Sequence, residues 1–90
     1  MRPVLWHPEA LEEFEAIIDF IDARNPPAAA RLAATIRDAA ERLPDHPYLY
    51  RPGRLPGTRE AVVHPNYILV YRVGDVIEVM GVVHARQHYP

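Results

Sequence analysis

The 90-residue chain contains no cysteine, no lysine and no serine. Without cysteine there is neither a disulfide framework nor a thiolate zinc site, and a reducing compartment suits the protein. Without serine or cysteine, a covalent acyl-enzyme route is disfavoured, and neither a nucleophile elbow nor a Gly-rich phosphate loop is present. All ten basic residues are arginine. Planar bidentate contacts to phosphate and carboxylate are therefore available, whereas Schiff-base or general-base lysine chemistry is not. No apolar run approaches the roughly 20 residues that span a bilayer, and the N-terminal MRPVLWHPEALEEF lacks the continuous apolar stretch of a secretory signal. A cytoplasmic protein is expected, and its length suits one domain over residues 1–90.

The net charge of -2 hides an asymmetry: residues 1–50 carry five Arg against nine acids (-4), and residues 51–90 carry five Arg against three acids (+2) with three further histidines. An acidic half and a basic half predict a polarised surface suited to an anionic partner.

The basic half holds three β-rich runs, Arg59 to His64, Tyr67 to Val73 and Val76 to His84. The breaks Pro65-Asn66 and Gly74-Asp75 between them are of hairpin length, which predicts an antiparallel meander. Strict alternation assigns Val62, Leu69, Tyr71, Val73, Ile77, Val79 and Val83 to an apolar face. It assigns Arg59, Ala61, Val63, Val70, Arg72, Glu78, Met80, Val82, His84, Arg86 and His88 to the other. The apolar face needs a cover. Leu11, Phe14, Ile17, Ile18 and Ile21 recur at helical spacing after Pro8, predicting a helix over Pro8 to Ala23. Asn25 as N-cap and Pro26 as first helical residue predict a second helix to Leu43. The expected fold is α+β: an antiparallel sheet of three to four strands, Met1 to Trp6 supplying the fourth, covered on one face by an α-helical hairpin in the order β-α-α-β-β-β.

Pro44 to Thr58 carries four prolines and two glycines. A loop of that length reads either as a functional segment using Arg51 and Arg54 or as a proline-stiffened crossover. Near the C-terminus, His84, Arg86 and His88 share one parity, placing titratable imidazoles beside a fixed cation. That pairing suits phosphodiester chemistry, in which a base activates a hydroxyl and a guanidinium stabilises developing charge. Plain surface polarity at a frayed terminus is the competing reading, and Glu60 and Glu78 could neutralise the arginines as cross-strand partners. His7, His46 and His64 lack ligand spacing, so neither a metal nor a cofactor is expected.

The ordered set of an N-terminal strand, Asn25-Pro26, RPGR-x-x-GTRE (Arg51 to Glu60), NYILVYRV (Asn66 to Val73) and VHARQHYP (Val83 to Pro90) resembles the RelE/ParE superfamily of type II toxin-antitoxin toxins across essentially the whole chain. The resemblance implies a growth-arrest toxin neutralised by a cognate antitoxin, with operator DNA read by the antitoxin alone and no membrane involvement. Antitoxin contacts would fall on Leu11, Phe14, Ile18 and Met80. RelE-like members cleave mRNA on the ribosome, and under that reading the catalytic set is Arg59, Arg72, His84 and Arg86, with His88 and Tyr89 weaker members. The arginine those nucleases commonly carry before the L-V-Y core falls at Ile68-Leu69 here and is missing. ParE-like members instead inhibit DNA gyrase, with Arg51, Arg54, Arg59 and Arg86 as target-binding candidates. The depleted nuclease set and the YRV and VHARQ segments favour this branch. An inactive toxin fold that only binds antitoxin is the third reading.

Overall fold

The computed structural model describes residues 2–89. Strand β1 (Val4–Trp6) leads through His7 into α1 (Pro8–Asp22), and α2 (Pro26–Arg42) follows after a short link. A 3-10 turn (Leu43–Asp45) and the two-residue β2 (Arg51–Pro52) precede the meander β3 (Arg59–His64), β4 (Tyr67–Val73) and β5 (Ile77–His84).

Local chemistry sets these boundaries. Asn25 accepts the Ala28 N–H at 3.2 Å, so α2 starts on the side-chain cap that the sequence predicts. The link is closed by the Arg24 and Asn25 N–H groups, which both return to the Ile21 carbonyl. Pro44 cannot continue an α-helix ladder, so Leu43 is passed to the 3-10 turn while its side chain stays fully buried.

The sheet is five-stranded in the order β1-β5-β4-β3-β2. It is mixed rather than wholly antiparallel, because β1 runs parallel to β5, with Val4, Leu5 and Trp6 opposite Ile77, Glu78 and Val79. A helical hairpin between β1 and the meander brings the chain back in the orientation this requires. Helices α1 and α2 cover one sheet face. Between them and the sheet lies a core that includes Phe14, Leu32, Ile36, Leu43, Ala61, Leu69, Tyr71, Ile77, Val79 and Val82. Tyr71 donates its hydroxyl to the Pro47 carbonyl at 2.7 Å, pinning the loop after α2 to the core. Burial pushes that hydroxyl up to about 12, opposed by the nearby charge of Arg59. Among the described residues, no helix is long and apolar enough to cross a membrane.

Two β-bulges correct the face assignments made by strict alternation. A two-residue turn at Pro65-Asn66 would pair Val62 with Leu69, but the register shifts between Val62 and His64. Val63 is the extra residue, so Ala61 sits opposite Leu69 and Val62 opposite Ile68. Arg59, paired with Tyr71, and Ala61 consequently lie on the helix-covered side, and Val62 is turned outward and exposed. On β5, Val70 pairs with Gly81 and Tyr71 with Val79, leaving Met80 as the extra residue. Beyond it the parity reverses: Val82 enters the helix-side core and Val83 joins Ile68 and Val70 on the other face. Just past the bulge, the Val82 N–H is taken by Glu13 Oε1 of α1 at 3.1 Å.

Candidate functional site

The face away from the helices carries a small apolar cluster, Ile68, Val70 and Val83, with Met80, Ala85 and Tyr89 packed against it. The chain after β5 turns back over this face. Ala85 donates its N–H to the Asn66 carbonyl at 2.8 Å, and Gln87 donates to the His84 carbonyl at 2.9 Å. Tyr89 is thereby delivered to the edge of the sheet where β2 pairs with β3.

Glu60 stands at that edge, opposite Arg51 on β2 and Val70 on β4. It is only 3% exposed, the one buried acid among the described residues. Arg51 reaches its Oε1 through both Nε at 3.1 Å and Nη2 at 2.8 Å, two charge-assisted hydrogen bonds to one oxygen. Arg54 approaches Oε2 through its main-chain N–H at 3.1 Å and its Nε at 3.3 Å. The Tyr89 hydroxyl donates to the same oxygen. Arg54 also lies over the Tyr89 ring, 4.4 Å from its centroid, and donates from Nη1 to the Gln87 carbonyl at 3.3 Å. A buried carboxylate is costly unless paired and fully hydrogen-bonded. Here that requirement is met by the two arginines and the tyrosine, whose outer surfaces remain in contact with solvent.

The loop Arg51 to Thr58 is shaped to place both arginines on one carboxylate. Gly53 donates its N–H to the Thr58 carbonyl at 2.7 Å, and Thr58 returns its hydroxyl to Leu55 at 2.7 Å. A Cβ on Gly53 would stand 2.3 Å from Thr58 Oγ1, so no other residue fits without rearrangement. Gly57 adopts φ +80°, a conformation open to glycine at little steric cost. The RPGR-x-x-GTRE stretch therefore has a structural meaning: two guanidinium groups, two glycines that close the loop, and the carboxylate they share.

The proposed nuclease set is not gathered. Arg59 is on the helix side, donating from Nη1 to the Tyr48 and Tyr50 carbonyls at 3.2 and 2.7 Å and lying over the Tyr48 ring. Arg72 is on the other face, where its Nε donates to Glu78 Oε2 at 2.7 Å. That hydrogen bond is the main cause holding the Glu78 carboxyl below the usual glutamate range, with His7 contributing. His84 pairs with Tyr67 at the opposite end of β4 from Arg59 and borders a cavity with Glu13, Ala16 and Ile17 of α1, hence on the helix side. Its Nδ1 accepts the Arg86 N–H at 3.1 Å. Arg86 and His88 are exposed in the turned-back segment. The shared surface of Arg59, Arg72, His84 and Arg86 expected from alternation is thus dispersed over two faces by the two bulges.

Of the residues assigned to antitoxin contact, Leu11 is exposed and Ile18 is half-buried. Phe14 is 3% exposed and belongs to the core, between the Trp6 ring and the Arg37 guanidinium. Met80 lies on the other sheet face, beside Val83 and Tyr89. Glu60 is the residue whose central place sequence reasoning missed. The signal was its isolation: it is the only acid between Asp45 and Asp75, among Arg51, Arg54 and Arg59.

Residues 4–89 match the family described as ParE toxin of type II toxin-antitoxin system, parDE. The chain is 38% identical over 90 residues to Y4kP of Sinorhizobium fredii, covering 99% of this chain and 94% of that protein. It is 36% identical over 88 residues to Toxin RelE2 of Caulobacter vibrioides, covering 94% and 97%. Among solved structures, a chain of the chromosomal ParDE TA system from P. aeruginosa superposes with a TM-score of 0.84 at 21% identity, over 93% of this chain and 96% of that one. The YoeB/ParE toxin from Agrobacterium tumefaciens gives 0.68 at 20% identity, over 97% and 99%. At such identities these two likenesses concern the fold.

Proposed function

We propose that this chain, which belongs to the ParE toxin family of type II toxin-antitoxin systems, arrests growth in the bacterial cytoplasm by inhibiting DNA gyrase when free of its antitoxin. Residues 1–90 act as one toxin domain, with no cofactor. Arg51, Arg54 and Arg86 contact the target, and Arg59 supports the same end of the sheet from behind. The observation that carries this reading is the pair of half-exposed guanidinium groups pinned to buried Glu60. Such a pair is a rigid cationic surface for acidic groups of a protein; it supplies no proton donor or acceptor near neutrality. The engagement of Arg72 by Glu78 points the same way, since it ties up a member of the nuclease set, which already lacks the arginine missing at Ile68-Leu69.

The antitoxin is expected to lay an amphipathic segment along α1, using exposed Leu11, half-buried Ile18 and the groove of about 320 Å³ between Trp6, Leu11, Arg37 and Glu41. A Met80 contact requires it to continue onto the other sheet face.

A second reading, a ribosome-dependent mRNA endoribonuclease, draws support from one detail. With its Nδ1 accepting the Arg86 N–H, a neutral His84 carries its proton on Nε2, beside an exposed arginine. Inducing the protein without antitoxin while following translation and DNA supercoiling in parallel separates the two. Gyrase inhibition predicts loss of negative supercoiling and filamentous growth before translation falls, and purified protein that blocks supercoiling. Prompt arrest of translation with supercoiling intact overturns it in favour of the nuclease. Normal growth alongside tight antitoxin binding leaves a binding module that has lost its toxicity.

A further inference from the structure

We infer that Glu60 is the positioning residue of the target-binding surface: it fixes Arg51 and Arg54 relative to each other and couples both to the C-terminal segment through Tyr89, so that the surface binds its target only with that segment seated. The inference rests on the gyrase reading above, and it assigns a role that the reading does not need.

The carboxylate is saturated. Its two oxygens offer about four lone-pair directions, and they receive Arg51 Nε and Nη2, the Arg54 main-chain N–H and the Tyr89 hydroxyl, with Arg54 Nε in ion-pair range at 3.3 Å. An arginine held by two bonds to one oxygen has lost its rotamer freedom before the target arrives, which removes an ordering cost from binding. Arg51 Nη1 makes no hydrogen bond among the described residues and is the group left to meet the target. Two guanidinium groups against one carboxylate leave a net positive surface, complementary to acidic side chains on a protein.

The segment from Ala85 to Tyr89 is the third member of the arrangement. Ala85 and Tyr89 cover Ile68, Val70 and Val83, while Arg54 sits over the Tyr89 ring and bonds to the Gln87 carbonyl. Lifting the segment therefore removes two partners of Arg54 at once and uncovers an apolar patch. Carrying Arg86 within it, the segment also sets where that third cation stands relative to the pair. Seating and arginine placement are one event, with Glu60 as its pivot.

The test uses the full chain as Glu60→Gln and Tyr89→Phe variants, freed from the antitoxin, with three readouts: NMR exchange rates of the Arg51 and Arg54 Nε–H groups, amide exchange over residues 85–89, and gyrase inhibition beside antitoxin affinity. Glu60→Gln is expected to speed both arginine exchange rates and raise the half-inhibitory concentration about tenfold, with antitoxin affinity within about threefold of the parent. Tyr89→Phe is expected to leave the Arg51 signal in place, speed exchange over 85–89, and weaken inhibition by about threefold to tenfold. Should Glu60→Gln fail to fold, Tyr89→Phe decides alone. Unchanged arginine exchange and inhibition overturn the inference. So does a parallel fall of inhibition, antitoxin affinity and melting temperature, which would mark Glu60 as a stabilising residue only. If the parent protein leaves gyrase untouched, the functional reading falls, and the arginine and amide exchange rates still decide whether Glu60 positions the pair.

Discussion

Glu60 and Glu78 occupy the same sheet face, and each is paired with an arginine directly across the strand, Arg51 and Arg72. Their settings differ. The Glu78 side chain is 27% exposed, with Arg72 and His7 as its partners, whereas that of Glu60 is 2% exposed beneath a glycine-closed loop and the end of the chain. The first is a cross-strand ion pair of ordinary kind, screened by water and salt. The second cannot be reached by water and must be satisfied from within, so it dictates where two arginines and a tyrosine stand. Equal pairing chemistry thus yields a surface contact at one end of the sheet and an organised site at the other, and the cover decides which.

The largest expected effect breaks the buried end. Glu60→Ala should lower unfolding free energy by about 3 kcal/mol, because two arginines and a tyrosine lose their common acceptor; urea unfolding reads this directly. Next comes the frame. Gly53→Ala places a methyl group against Thr58 and should cost about 2 kcal/mol as the loop reopens, accompanied by faster exchange of the Arg54 main-chain amide. A change at Gly57 is milder: Gly57→Ala should cost about 1 kcal/mol through its left-handed φ alone, since the space there is open, and a thermal melt suffices to see it. At the exposed end, Arg72→Ala should shift stability less than any of these, and the shift should fade as salt is added.

The same end provides a pH test. With its folded-state carboxyl held low by Arg72, Glu78 contributes stability above its unfolded value, and that contribution is lost as pH falls through the folded value. Acid titration of stability should therefore show a step below the usual glutamate range that disappears in Arg72→Ala. A step of equal size in both proteins would dissolve the contrast drawn between the two glutamates.

Much of the fold is legible in the residues. The Asn25 cap, Pro8 and Pro26 at helix starts and the two hairpin breaks place both helices and the three long strands to within a residue or two. Phase could not be read in the same way. Val63 and Met80 are ordinary strand residues, yet each is the extra residue of a bulge, and each reverses the faces of its strand from one side of the bulge to the other. Gly81 beside Met80 was the available hint, since glycine inside a strand often marks such a site. The direction of β1 and the two-residue β2 depend on long-range pairing that no local pattern encodes. For the candidate site, Arg51 and Arg54 were singled out from loop chemistry, but Glu60 appeared only as a neutralising partner, because part of its cover comes from a segment nearly thirty residues further on.

The pairing of β1 with β5 joins residues far apart along the chain: Val4 to Trp6 against Ile77 to Val79. During synthesis β1 must stay unpartnered until β5 has been translated, and closing so wide a span is intrinsically slow. The sheet that would carry the arginine site is closed only once β5 is in place, so the interval before it can act is written into its topology.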